Sequence, residues 1–308
     1  MPMVYQPAAA WICVAAGILL HAGWISVCLK RRGSEAGFHG LELLLPGALA
    51  ILCAKGGYEL LQTGESYAMF RWCYTTGLVG LSIGTGLAAR FRGAKAAEIL
   101  DETATAVCLA MALARLSQRW LGETGMGPIL DSEGFWTMIN DWDEPVLATW
   151  LLEAGMCLLA AGATKLWHRR SPRAAGGTFC GMIHFLLDPQ ILLEQFRSGD
   201  FMRFMMMRLE QVLFALFGLG VLIWMAVRIR KTQAGVGAWI PAAVYLMMAG
   251  VIALAEFLLD GKIMDGFPKT AAWAMFIMAL AGMIAMAVLA VRRADKTEIG
   301  RASCRERV

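Results

Sequence analysis

Histidine is scarce in this chain: His21, His39, His168 and His184 are all there is, and they show no metal-ligand spacing. The eight cysteines, Cys13, Cys28, Cys53, Cys73, Cys108, Cys157, Cys180 and Cys304, form no CxxC pair and lie mostly within apolar runs. These absences exclude a zinc ribbon and a thioredoxin-like motif, and the thiols read as small buried hydrophobes. Charge is sparse too, with Asp, Glu, Lys and Arg at 17% of the residues, against about 25% in ordinary globular chains. No basic residue precedes the first apolar run, and its cations follow it. A cleaved signal peptide is therefore not expected, and the run should persist as the first helix.

What fills the chain is apolar surface. Hydrophobic residues make up 58% of 308 positions, with 20 Met and 11 Trp, and the mean hydropathy is +0.57. That is too apolar for a soluble domain of this length, so the expected fold is all-α, a polytopic transmembrane helical protein. Nine apolar runs are long enough to span or nearly span, at about 8–29, 41–62, 74–89, 98–121, 146–167, 178–196, 209–227, 236–259 and 271–291.

Charge placement tests that reading. Basic clusters follow the first, third, fifth, seventh and ninth runs, at Lys30-Arg31-Arg32, Arg90/Arg92/Lys95, Arg169/Arg170/Arg173, Arg228/Arg230/Lys231 and Arg292/Arg293/Lys296. The connection 122–145 holds Glu123, Asp131, Glu133, Asp141, Asp143 and Glu144 with no Lys or Arg. By the positive-inside rule the N-terminus is expected outside and the C-terminus in the cytoplasm. The net charge of +4 follows from the inner loops and calls for no nucleic-acid partner. The acidic connection suits a surface lid or a docking site for a basic partner, and the sequence favours neither. The segment 299–308, IGRASCRERV, is polar and unlike what precedes it, so it reads as a non-native or disordered tail.

The end of the fourth run carries Arg115, Gln118, Arg119, Gly122 and Glu123. If the helix continues through them, their i, i+3, i+4, i+7, i+8 spacing puts all five on one face. Ionisable groups there are expensive, about 2.5–3.5 kcal/mol each on insertion scales. A functional site and a structural arrangement, with Arg119 snorkelling and Glu123 at the helix end, explain the spacing about equally well.

An Arg with a Gly-Glu pair placing Glu eight positions on and a further Gly behind resembles the signature of the prolipoprotein diacylglyceryl transferases, approximately G-R-x-G-N-F-x-N-G-E-x-x-G. Arg115, Gly122 and Glu123 match it, and Gly125 falls within one position of the last glycine. Further similarities run in order along about residues 10–228. Lys55, Gly57 and Tyr58 resemble the family's G-A-R-x-G-Y, and Thr75-Thr76-Gly77 stands where it has H-G-G. Asp101 matches a family Asp, and Trp150-Leu151-Leu152-Glu153 resembles L-Y-E. Gln190, Glu194, Arg197 and Asp200 resemble R-x-x-x-E-F-F-R-x-P-D, and Glu210-Gln211 resembles part of G-Q-I-L. Thr75, Gln118, Ile12 and Gln190 depart from the family's His, Asn, Tyr and Arg. Within the chain itself, Lys55 with Glu59 and Glu194 with Arg197 also suit internal ion pairs.

The resemblance implies a seven-helix transferase-like domain over 1–231, two additional helices over 232–298, and the tail 299–308. It implies transfer of a diacylglyceryl group from phosphatidylglycerol to the thiol of a lipobox cysteine, with release of glycerol phosphate, at the outer face of the bacterial cytoplasmic membrane. Its expected partners are a phosphatidylglycerol-like phospholipid and a lipobox-bearing prolipoprotein, and no cofactor is expected. Carried over residue by residue, Arg115, Glu123, Glu194 and Arg197 are the expected catalytic groups. Lys55, Tyr58, Gly77, Gln118, Gly122, Glu153 and Gln190 are the expected substrate-binding ones. With the family histidine replaced by Thr75, His184 is a candidate substitute base. The alternative is a non-catalytic relative that binds lipid or scaffolds a membrane partner.

Overall fold

The computed structural model describes residues 5–33, 40–61, 72–122, 126–170, 174–197, 203–204, 207–230, 236–261 and 266–305. Among them nine helices run in order: α1 (Pro7–Arg31), α2 (Leu41–Leu61), α3 (Tyr74–Phe91), α4 (Ala96–Leu116), α5 (Thr149–Arg170), α6 (Gly177–Leu193), α7 (Leu209–Arg230), α8 (Ile240–Leu259) and α9 (Lys269–Arg305). Each overlaps one of the nine apolar runs. Four of them, α1, α7, α8 and α9, are long and apolar enough to cross a membrane, so the chain is a helical membrane protein. In α4 the charges Glu98, Asp101, Glu102 and Arg115 interrupt the apolar surface, and α6 is only 17 residues long.

The fold is overwhelmingly α-helical, and the acidic connection adds a small element of its own. It folds into a small antiparallel sheet of β1 (Met126–Ile129), β2 (Thr137–Ile139) and β3 (Pro145–Ala148), ordered β1-β3-β2. Its inner face packs Met126, Met138, Val146 and Trp150 together, while Phe135 and Trp142 stay exposed. The turn before β3 is drawn tight by the Asn140 carboxamide oxygen, which accepts from the N–H groups of Trp142 and Glu144 at 2.9 Å each. A second, minimal hairpin pairs β4 (Arg203–Phe204) with β5 (Met207–Arg208). Helix α9 continues through Arg305.

The main core gathers apolar side chains from α3 to α9, among them Leu78, Val107, Ile183, Phe214, Tyr245 and Phe276. Helix α9 packs along α6, α7 and α8, so the last two helices join this core. Helices α2 and α3 approach closely where side chains are absent. A Cβ on Gly80 would collide with the carbonyl oxygen of Leu49, and one on Gly84 would stand 2.5 Å from Cα of Pro46. Gly80 and Gly84 are spaced GxxxG, the small-residue pattern that lets two helices approach closely.

Polar contacts hold the helix ends. Asp101 of α4 accepts from the backbone N–H of Gly176 at 2.6 Å and of Phe179 at 2.7 Å, capping the start of α6 from a neighbouring helix. Asp295 of α9 accepts from the N–H of Ala174 at 2.8 Å, and Arg228 donates to the Ala175 carbonyl, so three helices secure one turn. At the end of α1, Arg32 pairs with Glu98 and, at 2.5 Å, with Glu102. Hydrogen bonding to Arg32 holds the Glu98 carboxyl below the usual carboxylate range, and hydrogen bonds to Glu102 first and Glu98 second raise the guanidinium.

Gly80→Ala is expected to destabilise the protein by about 1–3 kcal/mol through overpacking against backbone, whereas Gly56→Ala, with open space around its Cβ, should be neutral or stabilising. Thermal unfolding in detergent checks the pair. The Arg32 contacts carry a pH signature. Because the Glu98 carboxyl is lowered in the folded state, their contribution is complete above its unfolded value and is lost as pH falls through the folded one. The stability gap between the parent and Arg32→Ala should therefore close on acidification below about pH 4, and a constant gap from pH 7 to 3 would contradict this.

Candidate functional site

The expected one-face ladder at the end of α4 does not form. Helix α4 stops at Leu116, a 3₁₀ turn covers Ser117–Trp120, and Gly122 adopts a positive φ of 67°. A tighter turn rotates successive side chains differently, and a left-handed residue ends the helical register. Arg115 and Gln118 nevertheless both point inward, with 1% exposure each. Gly122 serves the turn, beside the bridge between Leu121 and Tyr5. Glu123 and Asp200 lie outside the described residues.

Around Arg115 of α4 the structure assembles a buried charge cluster that draws on α5, α7 and the turn after α6. Arg115 Nη1 lies 3.2 Å from Glu153 Oε2 of α5. Its Nη2 is 3.7 Å from Glu194 Oε1, beyond α6, and 3.7 Å from Glu210 Oε2 of α7. Arg197 approaches the same Glu153 with Nη2 at 2.5 Å from Oε1 and 2.7 Å from Oε2, and stands 3.4 Å from Glu194 Oε1. Arg115, Glu153, Glu194 and Arg197, four of the residues singled out from sequence, thus meet in one place.

The two expected amides join them. Oriented to satisfy its neighbours, the Gln118 amide donates to Glu153 Oε2 at 3.1 Å and accepts from the Tyr74 hydroxyl at 3.1 Å and from Arg197 Nη2 at 3.2 Å. Gln190 donates to the Glu153 carbonyl at 3.2 Å. Glu153 is therefore the hub, 0% exposed and approached by two arginines and two amides.

Two members were missed. The Arg115 guanidinium lies over the Tyr74 ring at 4.0 Å from its centroid, a cation–π contact. Glu210 accepts from the Tyr74 backbone N–H at 2.9 Å with its other oxygen. Glu210 was visible in sequence beside Gln211, but nothing in the local pattern of α3 marks Tyr74, because its role depends on where α4 ends.

The remaining candidates sit elsewhere. Lys55 pairs with Glu59 at 2.7 Å and lies 5.5 Å from the Tyr58 ring centroid, so the second helix keeps an internal Lys–Glu pair. Gly77 serves close contact, since its Cβ would stand 3.0 Å from that of Ala54. His184 is committed to Asp188, with Nδ1 at 3.0 Å from Oδ2, and faces Tyr245 of α8, whose hydroxyl donates to Asp188 Oδ1 at 3.0 Å. Thr75, at the family's histidine position, is buried at 2% exposure.

Beside the cluster lies an apolar cavity that opens between α1, α2, α3 and α4, about 590 Å³ with the open space at its mouth included. Val14, Ile51, Leu81 and Met111 contribute to its walls, and Tyr74 and Ser117 line it as well. Tyr74 therefore belongs to both the cavity wall and the cluster.

No family model, no curated protein and no solved structure matches this chain. The chemistry of the site thus rests on its own geometry. Three carboxylates face two arginines, and the arginine nitrogens are unequally used. Arg115 Nε and Nη2 have no hydrogen-bond partner among the described residues, and neither has Glu194 Oε1.

Removing the hub tests this arrangement. Glu153→Ala is expected to cost about 3–5 kcal/mol, because it strands buried guanidinium groups. Arg197→Met added to it should recover part of that loss, and a double-mutant cycle by denaturant unfolding measures the coupling. Simple additivity would mean that the pair is not energetically linked.

Proposed function

We propose that this chain is a multi-pass protein of the bacterial cytoplasmic membrane that acts on a phospholipid as a diverged relative of the prolipoprotein diacylglyceryl transferases. In this reading α1–α7 are the transferase-like core, α8 and α9 are additions, and the N-terminus is outside. The observation that carries the proposal is the Nε–Nη2 edge of Arg115, which Glu194 and Glu210 approach no closer than 3.7 Å. Its Nε and Nη2 form one side of the guanidinium fork, buried and without hydrogen bonds among the described residues, next to an apolar cavity. Buried donors left unpaired cost about 1–3 kcal/mol each. Two oxygens of a phosphate satisfy such an edge in bidentate fashion.

The lipid's acyl part takes the cavity and its phosphate takes Arg115, with Tyr74 between them. A phosphatidylglycerol-like donor then presents to the cluster the glycerol carbon that bears the phosphate. The thiol of a lipobox cysteine gives its proton to Glu194 Oε1, and the thiolate attacks that carbon. The C–S bond forms as the C–O bond to phosphate breaks, and glycerol phosphate leaves with the bonding pair. Arg115 and Arg197 stabilise the negative charge that grows on the leaving phosphate, and Glu153 holds the two guanidinium groups in position.

A second reading is a non-catalytic lipid-binding or scaffolding relative. It is favoured by one specific observation: both arginines already close on Glu153, and carboxylates outnumber arginines in the cluster.

The deciding measurement is transfer of labelled diacylglycerol from phosphatidylglycerol vesicles to a lipobox peptide. Transfer by the parent should fall about 100-fold or more in Arg115→Ala and at least about tenfold in Arg115→Lys, which keeps the charge and loses the fork. Photolabelled phosphatidylglycerol that crosslinks to α1–α4 without any transfer would overturn the enzymatic reading in favour of lipid binding.

A further inference from the structure

Helices α8 and α9 reach the candidate site through the 3₁₀ turn Glu194–Phe196. In a turn of three residues per revolution, side chains three apart eclipse. Glu194 and Arg197 accordingly share the side facing Arg115 and Glu153. The intervening residues face the other way. Gln195 donates its side-chain amide to Glu256 Oε1 of α8, and the Phe196 ring stacks on Trp273 of α9, with centroids 5.9 Å apart and planes 4° from parallel.

Glu256 takes a second bond on the same oxygen, from Gln211 Nε2 of α7 at 3.0 Å, and Gln211 also donates to the Ile191 carbonyl at 2.9 Å in the last turn of α6. Its other oxygen has no hydrogen-bond partner among the described residues, and the residue is 4% exposed. A carboxylate at such a position in an apolar helix is expensive. An apolar side chain would fasten α8 to the core as well or better. What the carboxylate supplies is direction, because two amides converging on one oxygen fix where the turn sits.

We propose that α8 and α9 form a clamp that sets the position of Glu194 and Arg197, with Glu256 and Trp273 as positioning residues. The clamp rests on the transferase reading for its effect on turnover, but its mechanical part does not. Loosening it lets the turn drift from Arg115 while the lipid cavity between α1 and α4, built from other helices, stays intact. The predicted signature is loss of turnover without loss of lipid binding.

The experiment uses the full chain in phosphatidylglycerol nanodiscs and compares the parent with Glu256→Ala, Glu256→Gln and Trp273→Leu. Backbone hydrogen exchange over 191–197 should accelerate about fivefold or more in Glu256→Ala and Trp273→Leu, with α1–α4 unchanged. Diacylglyceryl transfer should lose about tenfold in kcat with KM for phosphatidylglycerol within about twofold. Glu256→Gln keeps an oxygen acceptor and should restore most of both. Accelerated exchange in variants of a parent that shows no transfer would sustain the clamp and reject the transferase reading. Unchanged exchange over 191–197 in both Glu256→Ala and Trp273→Leu would overturn the clamp whatever the activity. Should Glu256→Ala fail to fold, Trp273→Leu alone decides in the same way.

Discussion

The arrangement of this protein depends on keeping charge inside an apolar bundle. Arg115, Glu153 and Arg197 are 1%, 0% and 6% exposed, and a lone ion so placed would cost several kcal/mol. Each is tolerable only because the others are within reach. That requirement ties the end of α4, the first turn of α5, the turn after α6 and the start of α7 to one another. Hydrophobic packing would permit these helices to slide, whereas a shared carboxylate permits very few relative positions. The seam between α2 and α3 obeys a different constraint, absence of side-chain volume at Gly80 and Gly84. The two halves of the molecule are thus specified by charge and by close packing.

Where the halves meet stands Tyr74. Its ring carries Arg115 on one side, its backbone N–H is held by Glu210, and it lines the apolar cavity. An amphipathic molecule has the same division, an apolar body and an ionic end, so a single aromatic residue can serve as the boundary for both parts.

The helical architecture was legible because the runs are long, and their ends are marked by Lys and Arg clusters. The buried cluster was partly legible: Arg115, Gln118, Glu153, Gln190, Glu194 and Arg197 are costly in an apolar setting and so draw attention by themselves. Their convergence was not, since it depends on α4 stopping at Leu116, which no proline or glycine announces inside Ala114–Trp120. The sheet at 126–148 escaped for a different reason. Strands of three or four residues, such as Thr137–Ile139, are too short to display a period of two. Lys55 was legible as half of an ion pair, because its i, i+4 spacing from Glu59 allows the contact that the structure forms one turn away.

The turn at 174–177 links the architecture to the order of synthesis. A nascent chain emerges from its N-terminus, so Asp101 is available before the Gly176 and Phe179 amides it receives. Arg228 and Asp295, which takes the Ala174 amide, follow that turn in the chain and are made after it. This hairpin is therefore begun by α4 and completed only when α7 and α9 have been made and packed, so its finished geometry is a late event even though its sequence lies mid-chain.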